Sequence, residues 1–316
     1  MPNIGIDVGG TKILGVVLAD SGDVLAERRV ETPGRGGAEV VRVLASMVED
    51  LRASTSVQIG GVGLGVPALV DAQGVVRFAP NLAEIEGLMI GREVGDAIGL
   101  PVDVDNDANA AAWGELAFGA ARGLSHAIVA TLGTGIGAGL IVDGTLYRGA
   151  HGFAAEVGHI VVARDGPRCA CGGLGHWEAI ASGPALGRLA RDRVRAGAAD
   201  EVLRLAGGRV ESVAGDHVAT AALEGDAGAL AVLDDYADAV ALGLASLVAV
   251  LDPQRIVLGG GVVRIGDVLL DRVRDAFDRH LEGAVARGGV PIVAAELGGR
   301  AGAVGAAVLA RDRLHL

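Results

Sequence analysis

One local device occurs twice in this chain, and it constrains the fold more than any other feature. Residues 3–8 (Asn-Ile-Gly-Ile-Asp-Val) read as a strand, Gly9-Gly10-Thr11 as a turn, and Lys12 to Leu18 as a second strand. Residues 127–142 repeat the pattern, with Gly133-Thr134-Gly135 as the turn. The two turns, and the apolar triplets Val16-Val17-Leu18 and Leu140-Ile141-Val142, lie at one constant offset. Such a repeat points to two similar lobes with phosphates held between them. The first turn offers backbone N–H groups, the Thr11 hydroxyl and the Lys12 ammonium, a nest suited to phosphate oxygens. Asp7, at the adjoining strand end, is placed to hold Mg²⁺ through water. The motif is neither G-x-x-x-x-G-K-[ST] nor a G-x-G-x-x-G opening a helix, so P-loop and dinucleotide-binding folds are not indicated.

Composition sharpens one of these assignments. The chain has 27 basic residues, and Lys12 is the only lysine among them. Arginine serves elsewhere, and a compact ammonium is not equivalent to a guanidinium at a phosphate; the alternative is one surface lysine that persists by chance. With 316 residues the chain is long enough for two cores. The aromatic fraction is 3%, so those cores must be aliphatic and alanine-packed. A net charge of −12 argues against general binding to nucleic acid or anionic membrane. The N-terminus reads as a strand and not as a signal segment, and the apolar run Ala239 to Leu251 is too short to cross a bilayer. With reduced cysteines, these features predict a cytoplasmic protein.

Between and after the two hairpins, strands and helices alternate. Helices are expected over Glu39–Leu51, Gly91–Ile98, about 182–197, 215–224, Gly228–Leu251 and Asp267–Leu281, and from Ala301 onward. Strands are expected over Ile59–Val66, Val75–Phe78, Val102–Asp105, Thr145–Tyr147, Arg255–Leu258 and Pro291–Ala294. Asp105-Asn106-Asp107-Ala108-Asn109 sits where a strand runs into a helix. Asp107 is a plausible helix N-cap. Two acids and two amides in five residues exceed what one cap needs, and an aspartate near a phosphate loop is the usual acceptor of a hydroxyl proton in phosphoryl transfer. Gly259-Gly260-Gly261 follows a strand; it is either an ordinary turn or a place where a flat purine approaches the backbone.

The only cysteines, Cys169 and Cys171, lie in a glycine-rich loop between His159 and His176, with Glu156 and Glu178 at its ends. Two thiolates and two imidazoles make a closed tetrahedral zinc set, which is structural because no position remains for a reactive water. A disulfide between residues two apart is disfavoured by bond geometry. A metal-pinned loop presenting two acids reads as a scaffold for a polar ligand.

These stretches, in this order, resemble the ROK family of sugar kinases and repressors. The matching segments are Asp7-Val-Gly-Gly-Thr-Lys12, Gly63-Leu-Gly-Val-Pro67, Asn106-Asp-Ala-Asn-Ala110, Leu132-Gly-Thr-Gly-Ile-Gly137, Glu156-Val-Gly-His159, Cys169 to Glu178 and Leu258-Gly-Gly-Gly-Val262. The resemblance implies an α/β, two-lobed fold of the actin/Hsp70/sugar-kinase (ribonuclease H-like) type with its active site in the interlobe cleft. It divides the chain into a smaller lobe, 1–117 plus about 301–316, and a larger lobe, 118–300, carrying the zinc loop. It implies a hexose kinase, glucokinase-like, using ATP with Mg²⁺ and a structural Zn²⁺, and a homodimer or homotetramer.

By position, the resemblance makes Asp107 the base for the sugar 6-hydroxyl. Asn106, Glu156, His159 and Glu178 hydrogen-bond the other hydroxyls, with Gly65 and Asn81 on loops that choose the sugar. Asp7, Gly9, Gly10, Thr11 and Lys12, with Gly133, Thr134 and Gly135, hold metal and phosphates, and Gly259, Gly260 and Gly261 lie near adenine. His159 touches sugar with one ring nitrogen and zinc with the other. His176 stands where the family usually has a third cysteine, and Ala68 where it commonly has glycine. N-acetylhexosamines as acceptors and polyphosphate as donor remain compatible with the pattern. Family repressors carry a DNA-binding segment before the first phosphate motif, whereas Asp7 is the seventh residue here. An actin- or Hsp70-like ATPase has no use for the E-x-G-H and zinc segments.

Overall fold

The computed structural model describes residues 1–34, 36–80 and 82–314. The chain opens with a meander of β1 (Asn3–Val8), β2 (Lys12–Leu18) and β3 (Val24–Glu31), followed by α1 (Gly37–Ala53) and β4 (Val62–Val66). A small hairpin of β5 (Leu69–Val70) and β6 (Val76–Phe78) precedes α2 (Ile90–Ile98), β7 (Val102–Asn106) and α3 (Asp107–Phe118). The second hairpin is β8 (Ala127–Leu132) and β9 (Ile136–Val142), extended by β10 (Thr145–Leu146). Then come α4 (Trp177–Ala181), α5 (Gly183–Arg195), α6 (Asp200–Leu205), α7 (Gly215–Leu223) and α8 (Ala227–Leu251). The chain continues through β11 (Arg255–Gly259), α9 (Asp267–His280), α10 (Ala284–Arg287), β12 (Ile292–Ala294) and α11 (Ala301–Leu314).

Two compact units emerge. Unit 1 comprises Met1–Val129, Gly139–Ala155 and Ala295–Leu316; unit 2 comprises Ala130–Ala138 and Glu156–Ala294. These boundaries differ from the expected divisions after 117 and 300. The second hairpin is long enough to be shared: its turn end belongs to unit 2, while the outer half of β9 and β10 belong to unit 1. At the other end of the chain the break falls just after β12, because the residues after that strand are already tied to α3 (below).

Unit 1 is built on a sheet of order β3-β2-β1-β4-β7, antiparallel across β3-β2-β1 and parallel across β1-β4-β7. Side chains alternate as a strand requires. Ile4, Ile6, Val8, Ile13 and Val17 join the buried faces of α1 (Val40, Leu44, Met47) and α2 (Ile90, Val94) in one cluster. Leu14, Val16 and Leu18 point the other way, onto Ala303, Val304, Ala307 and Val308 of α11. This second layer is unusually close. A methyl at Gly5 would lie 1.9 Å from the Ala303 carbonyl oxygen, and one at Gly63 would lie 1.9 Å from that of Ala306. Glycine in the strands and alanine in the helix let α11 rest on the backbone of β1 and β4.

Unit 2 is organised around α8, whose buried side chains include Leu233, Tyr236, Val240, Leu244 and Leu247. Trp177 at the start of α4 is fully buried against Gly243 of α8 and donates its indole N–H to the Ala239 carbonyl at 3.0 Å. The Tyr236 hydroxyl donates to the Ala181 carbonyl at 2.7 Å, so both ends of α4 are fixed to α8. Strands β11 and β12 pair in parallel, and β11 neighbours β8 in the order β10-β9-β8-β11-β12. Among the described residues, no helix is long and apolar enough to cross a membrane.

Candidate functional site

In unit 1 the candidate residues collect at the carboxyl ends of three parallel strands. Asp7 of β1 is in register with Gly65 of β4, and Gly65 with Asp105 of β7. Burial pushes the Asp7 carboxyl up to about 6, against the pull of the Lys12 ammonium. A methyl at position 302 would come within 2.7 Å of the Asp7 carboxyl carbon, so Gly302 at the start of α11 makes room for that group. The first turn is closed by Gly9 N–H donating to the Lys12 carbonyl at 2.9 Å. Thr32 braces it from β3's end, its hydroxyl donating to the Gly9 carbonyl at 2.6 Å and its N–H to that of Thr11 at 3.0 Å. Lys12 lies exposed at the start of β2.

The capping assignment moves by one residue. Asn106, and not Asp107, is the N-cap of α3: it is extended, and its side-chain oxygen accepts from the N–H groups of Ala108 (2.9 Å) and Asn109 (3.1 Å). A cap must lie outside the helix so that its side chain can fold back over the open amides, and Asp107 already has the first helical position. Its carboxylate accepts from the Ala108 N–H at 2.8 Å, where the positive end of the helix dipole favours an anion. The Asn106 amide nitrogen reaches the Ala68 carbonyl at 3.3 Å, linking the cap to the loop after β4. Gly65 faces Asp107 directly; a methyl there would lie 3.4 Å from the Asp107 Cα. Asn81, expected on the sugar-choosing loop, lies outside the described residues.

Beneath this cap is a buried ion pair that sequence reasoning missed. Asp105 accepts from the Asn106 N–H (2.8 Å), from the Asn109 side-chain amide (2.9 Å) and from the Arg148 guanidinium (2.8 Å). Arg148 lies just after β10, so the pair ties the start of α3 to the loop that leads towards Glu156. Glu115 was missed as well. It is fully buried, and its carboxylate accepts from the N–H groups of Ala120, Glu296 and Leu297 at 2.8 to 3.1 Å. Arg148 and Glu115 stand in no recognisable motif; the partners that explain them include residues far away in sequence.

In unit 2 the second turn lies beside a cavity of about 540 Å³, within the range that takes a drug-sized ligand. Gly133 and Thr134 line it, with Gly183 and Pro184 at the start of α5, and Gly261 and Val262 after β11. Its charged side chains are Arg191, Asp216 and Arg264. Of the three glycines that end and follow β11, Gly261 reaches the cavity. Gly260 packs on β8, where a methyl would meet the Leu132 carbonyl oxygen at 2.3 Å, and its φ of +93° is a conformation few other residues adopt. Sequence reasoning did not find α5 and α7 as cavity walls, because the two helices are separated along the chain by α6 and are joined only by packing.

The cysteine–histidine loop closes as expected. The ligand-capable atoms of His159, Cys169, Cys171 and His176 all lie within 4.8 Å of one another. Cys169 Sγ is 3.8 Å from His159 Nδ1, and Cys171 Sγ is 3.2 Å from His176 Nδ1. A tetrahedral zinc with ordinary Zn–S and Zn–N bonds needs ligand-to-ligand edges of about 3.3–3.8 Å; these two separations lie close to that range, and two thiolates with two imidazoles are a donor set zinc accepts. Both cysteines are free thiols. Burial pushes the Cys169 thiol up to about 11. The other ring nitrogen of His159, Nε2, is 3.9 Å from the Glu156 carboxylate. Burial raises the Glu156 carboxyl above its ordinary range; His159 opposes this and Glu178 adds to it. Glu178 is drawn inward, one oxygen accepting the Ile136 N–H at 3.0 Å and the other facing Cys169 Sγ at 3.4 Å.

Comparison with known proteins places the chain in one family. The model of the ROK family matches residues 3–313. A glucokinase of Streptomyces coelicolor is 41% identical over 98% of this chain and 97% of its own length. The crystal structure of a ROK family glucokinase from Streptomyces griseus, in complex with glucose and AMPPNP, superposes with a TM-score of 0.88 at 41% identity, covering 99% of this chain and 100% of that one. The ROK hexokinase of Thermus thermophilus gives a TM-score of 0.82 at 35% identity, covering 100% of this chain and 99% of that one. With its two α/β units, its paired glycine turns and its Cys/His loop, the chain belongs to the ROK family.

Proposed function

We propose that this protein is an ATP-dependent glucokinase that phosphorylates the 6-hydroxyl of glucose. The observation that carries the reading is the 41% identity to a glucokinase along nearly the whole of both chains. In this reading each group has a chemical role. Asp107 takes the proton of the attacking hydroxyl. Asp105 and the Asn106 cap fix the helix start on which Asp107 stands. Glu156, His159 and Glu178 bind the remaining hydroxyls. Gly9 to Lys12 and Gly133 to Gly135 hold donor phosphates, where fixed amides and the ammonium stabilise the charge of the transferring group. Asp7 would hold Mg²⁺ through water; when bound, that ion neutralises charge on the phosphate oxygens. The cavity beside Gly133 and Gly261 has room for the adenosine, which favours a nucleotide over polyphosphate as donor.

His159, Cys169, Cys171 and His176 would hold a structural zinc, whose bond to His159 Nδ1 fixes the ring and presents Nε2 to the sugar. Assembly as a homodimer or homotetramer belongs to the same reading. Coupled ADP release with Mg-ATP is the direct test, over glucose, mannose, fructose, N-acetylglucosamine, N-acetylmannosamine and no sugar. A glucose-dominant rate is expected. A rate confined to an N-acetyl sugar would keep the mechanism and correct the acceptor. In the same assay Asp107→Asn should lower turnover by at least about a thousandfold while leaving glucose binding measurable; near-normal turnover would remove Asp107 as the base.

A further inference from the structure

We propose that Glu178, besides its role towards sugar, is a positioning residue for the donor turn, and that ordering of the Cys/His loop thereby sets nucleotide affinity. The proposal rests on the reading of Gly133–Gly135 as a phosphate turn. Two contacts from one short segment, residues 176–183, hold that turn. His176, a member of the Cys/His quartet, immediately precedes α4. One residue into the helix, the Glu178 carboxylate accepts the Ile136 N–H at 3.0 Å, just behind the turn. Beyond the far end of α4, the Gly183 N–H donates to the Gly133 carbonyl at 2.7 Å.

The fit around these bonds is tight. A methyl at Gly135 would lie 2.3 Å from a Glu178 carboxylate oxygen, and one at Gly158, within the E-x-G-H segment, 2.3 Å from the Ile136 carbonyl oxygen. The turn therefore lies between two parts of the quartet's own scaffold, α4 on one side and the segment ending in His159 on the other. Within the turn itself there is one bond, Gly133 N–H to the Gly135 carbonyl at 2.9 Å. Its shape depends on outside support, and that support begins at a ligand of the quartet. Trp177 and Tyr236 hold α4 itself on α8, so the quartet acts on the turn through the Glu178 side chain, whose second oxygen faces Cys169 Sγ at 3.4 Å.

The test measures nucleotide binding with sugar absent, which separates this role from hydroxyl binding. Mg-ADP is titrated calorimetrically into zinc-loaded and chelator-stripped wild-type protein, and into zinc-loaded Glu178→Ala and Glu178→Gln. Stripping and Glu178→Ala should each weaken ADP binding by about tenfold. Glu178→Gln, which retains an acceptor for Ile136 N–H, should bind ADP nearly as the wild type does, while both variants lose glucose affinity. Hydrogen exchange over residues 131–137 should quicken on stripping, a readout that serves even if Glu178→Ala does not fold. Unchanged ADP affinity and exchange on stripping would overturn the proposal and leave Glu178 to the sugar alone. Absence of ADP binding to the zinc-loaded wild type would instead overturn the phosphate-turn reading beneath it.

Discussion

The two glycine turns share a strand–turn–strand frame and differ in how they are held. The first is closed by a bond from Gly9 to Lys12 and braced by Thr32, all within the opening meander, and it carries its own charges in Asp7 and Lys12. The second has a tighter closure, Gly133 to Gly135, no charged residue of its own, and supports that come from more than forty residues away at Glu178 and Gly183. One turn is self-sufficient in its local sequence and the other is a product of tertiary packing. The same backbone device can thus be used as a charged clamp or as a passive cradle, according to what packs behind it.

Three substitutions probe that contrast. The largest effect should come from Lys12→Met, which removes the only ammonium of the first turn. A fall in kcat/KM of roughly a hundredfold or more is expected, with Lys12→Arg recovering only part of it. A small loss would place both turns in the passive class.

Asp7→Asn should reduce turnover almost as far, and it carries a sign that can be checked. The folded-state pKa of Asp7 is raised from 3.8 to about 6, so between those values the folded protein binds a proton that the unfolded chain has released. Stability from this group is therefore full below the lower value and is lost as pH rises through the upper one. Without Mg²⁺, Asp7→Asn should raise the melting temperature at neutral pH and not at pH 4, while the Mg²⁺ requirement of the wild type grows as pH falls below 6. A variant less stable than wild type at neutral pH would contradict the burial argument. Thr32→Val should have the smallest effect, a loss of about 1 kcal/mol from one hydrogen bond, read as a few-fold rise in the KM for ATP with kcat held.

Much of this was legible in advance, and the boundary of legibility follows the same contrast. The hairpins, the longer helices and the Cys/His quartet could be read because alternation, turn glycines and scarce residue types are local signals, whereas the short α4, α6 and α10 could not. The cap on α3 was misassigned by one residue, since Asn106 and Asp107 are both good capping types and only backbone direction decides between them. The Asp105–Arg148 pair, the Glu115 clamp and the cavity walls at Arg191, Asp216 and Arg264 left no local trace. Each depends on segments joined by packing across tens of residues. The division of the second hairpin between two units was equally hidden, because its sequence is that of one continuous hairpin.

The close seat of α11 on β1 and β4 bears on how the protein is made. The helix that covers Leu14, Val16 and Leu18 is translated long after the strands on which it lies. With nearly three hundred residues between them, and synthesis at about 5–20 residues per second, the nascent sheet waits on the order of 15 to 60 s for its cover. Throughout that interval an apolar face is open to chaperones and to neighbouring chains. The glycines that let the helix lie against bare backbone therefore make the completion of this sheet wait on a segment far downstream.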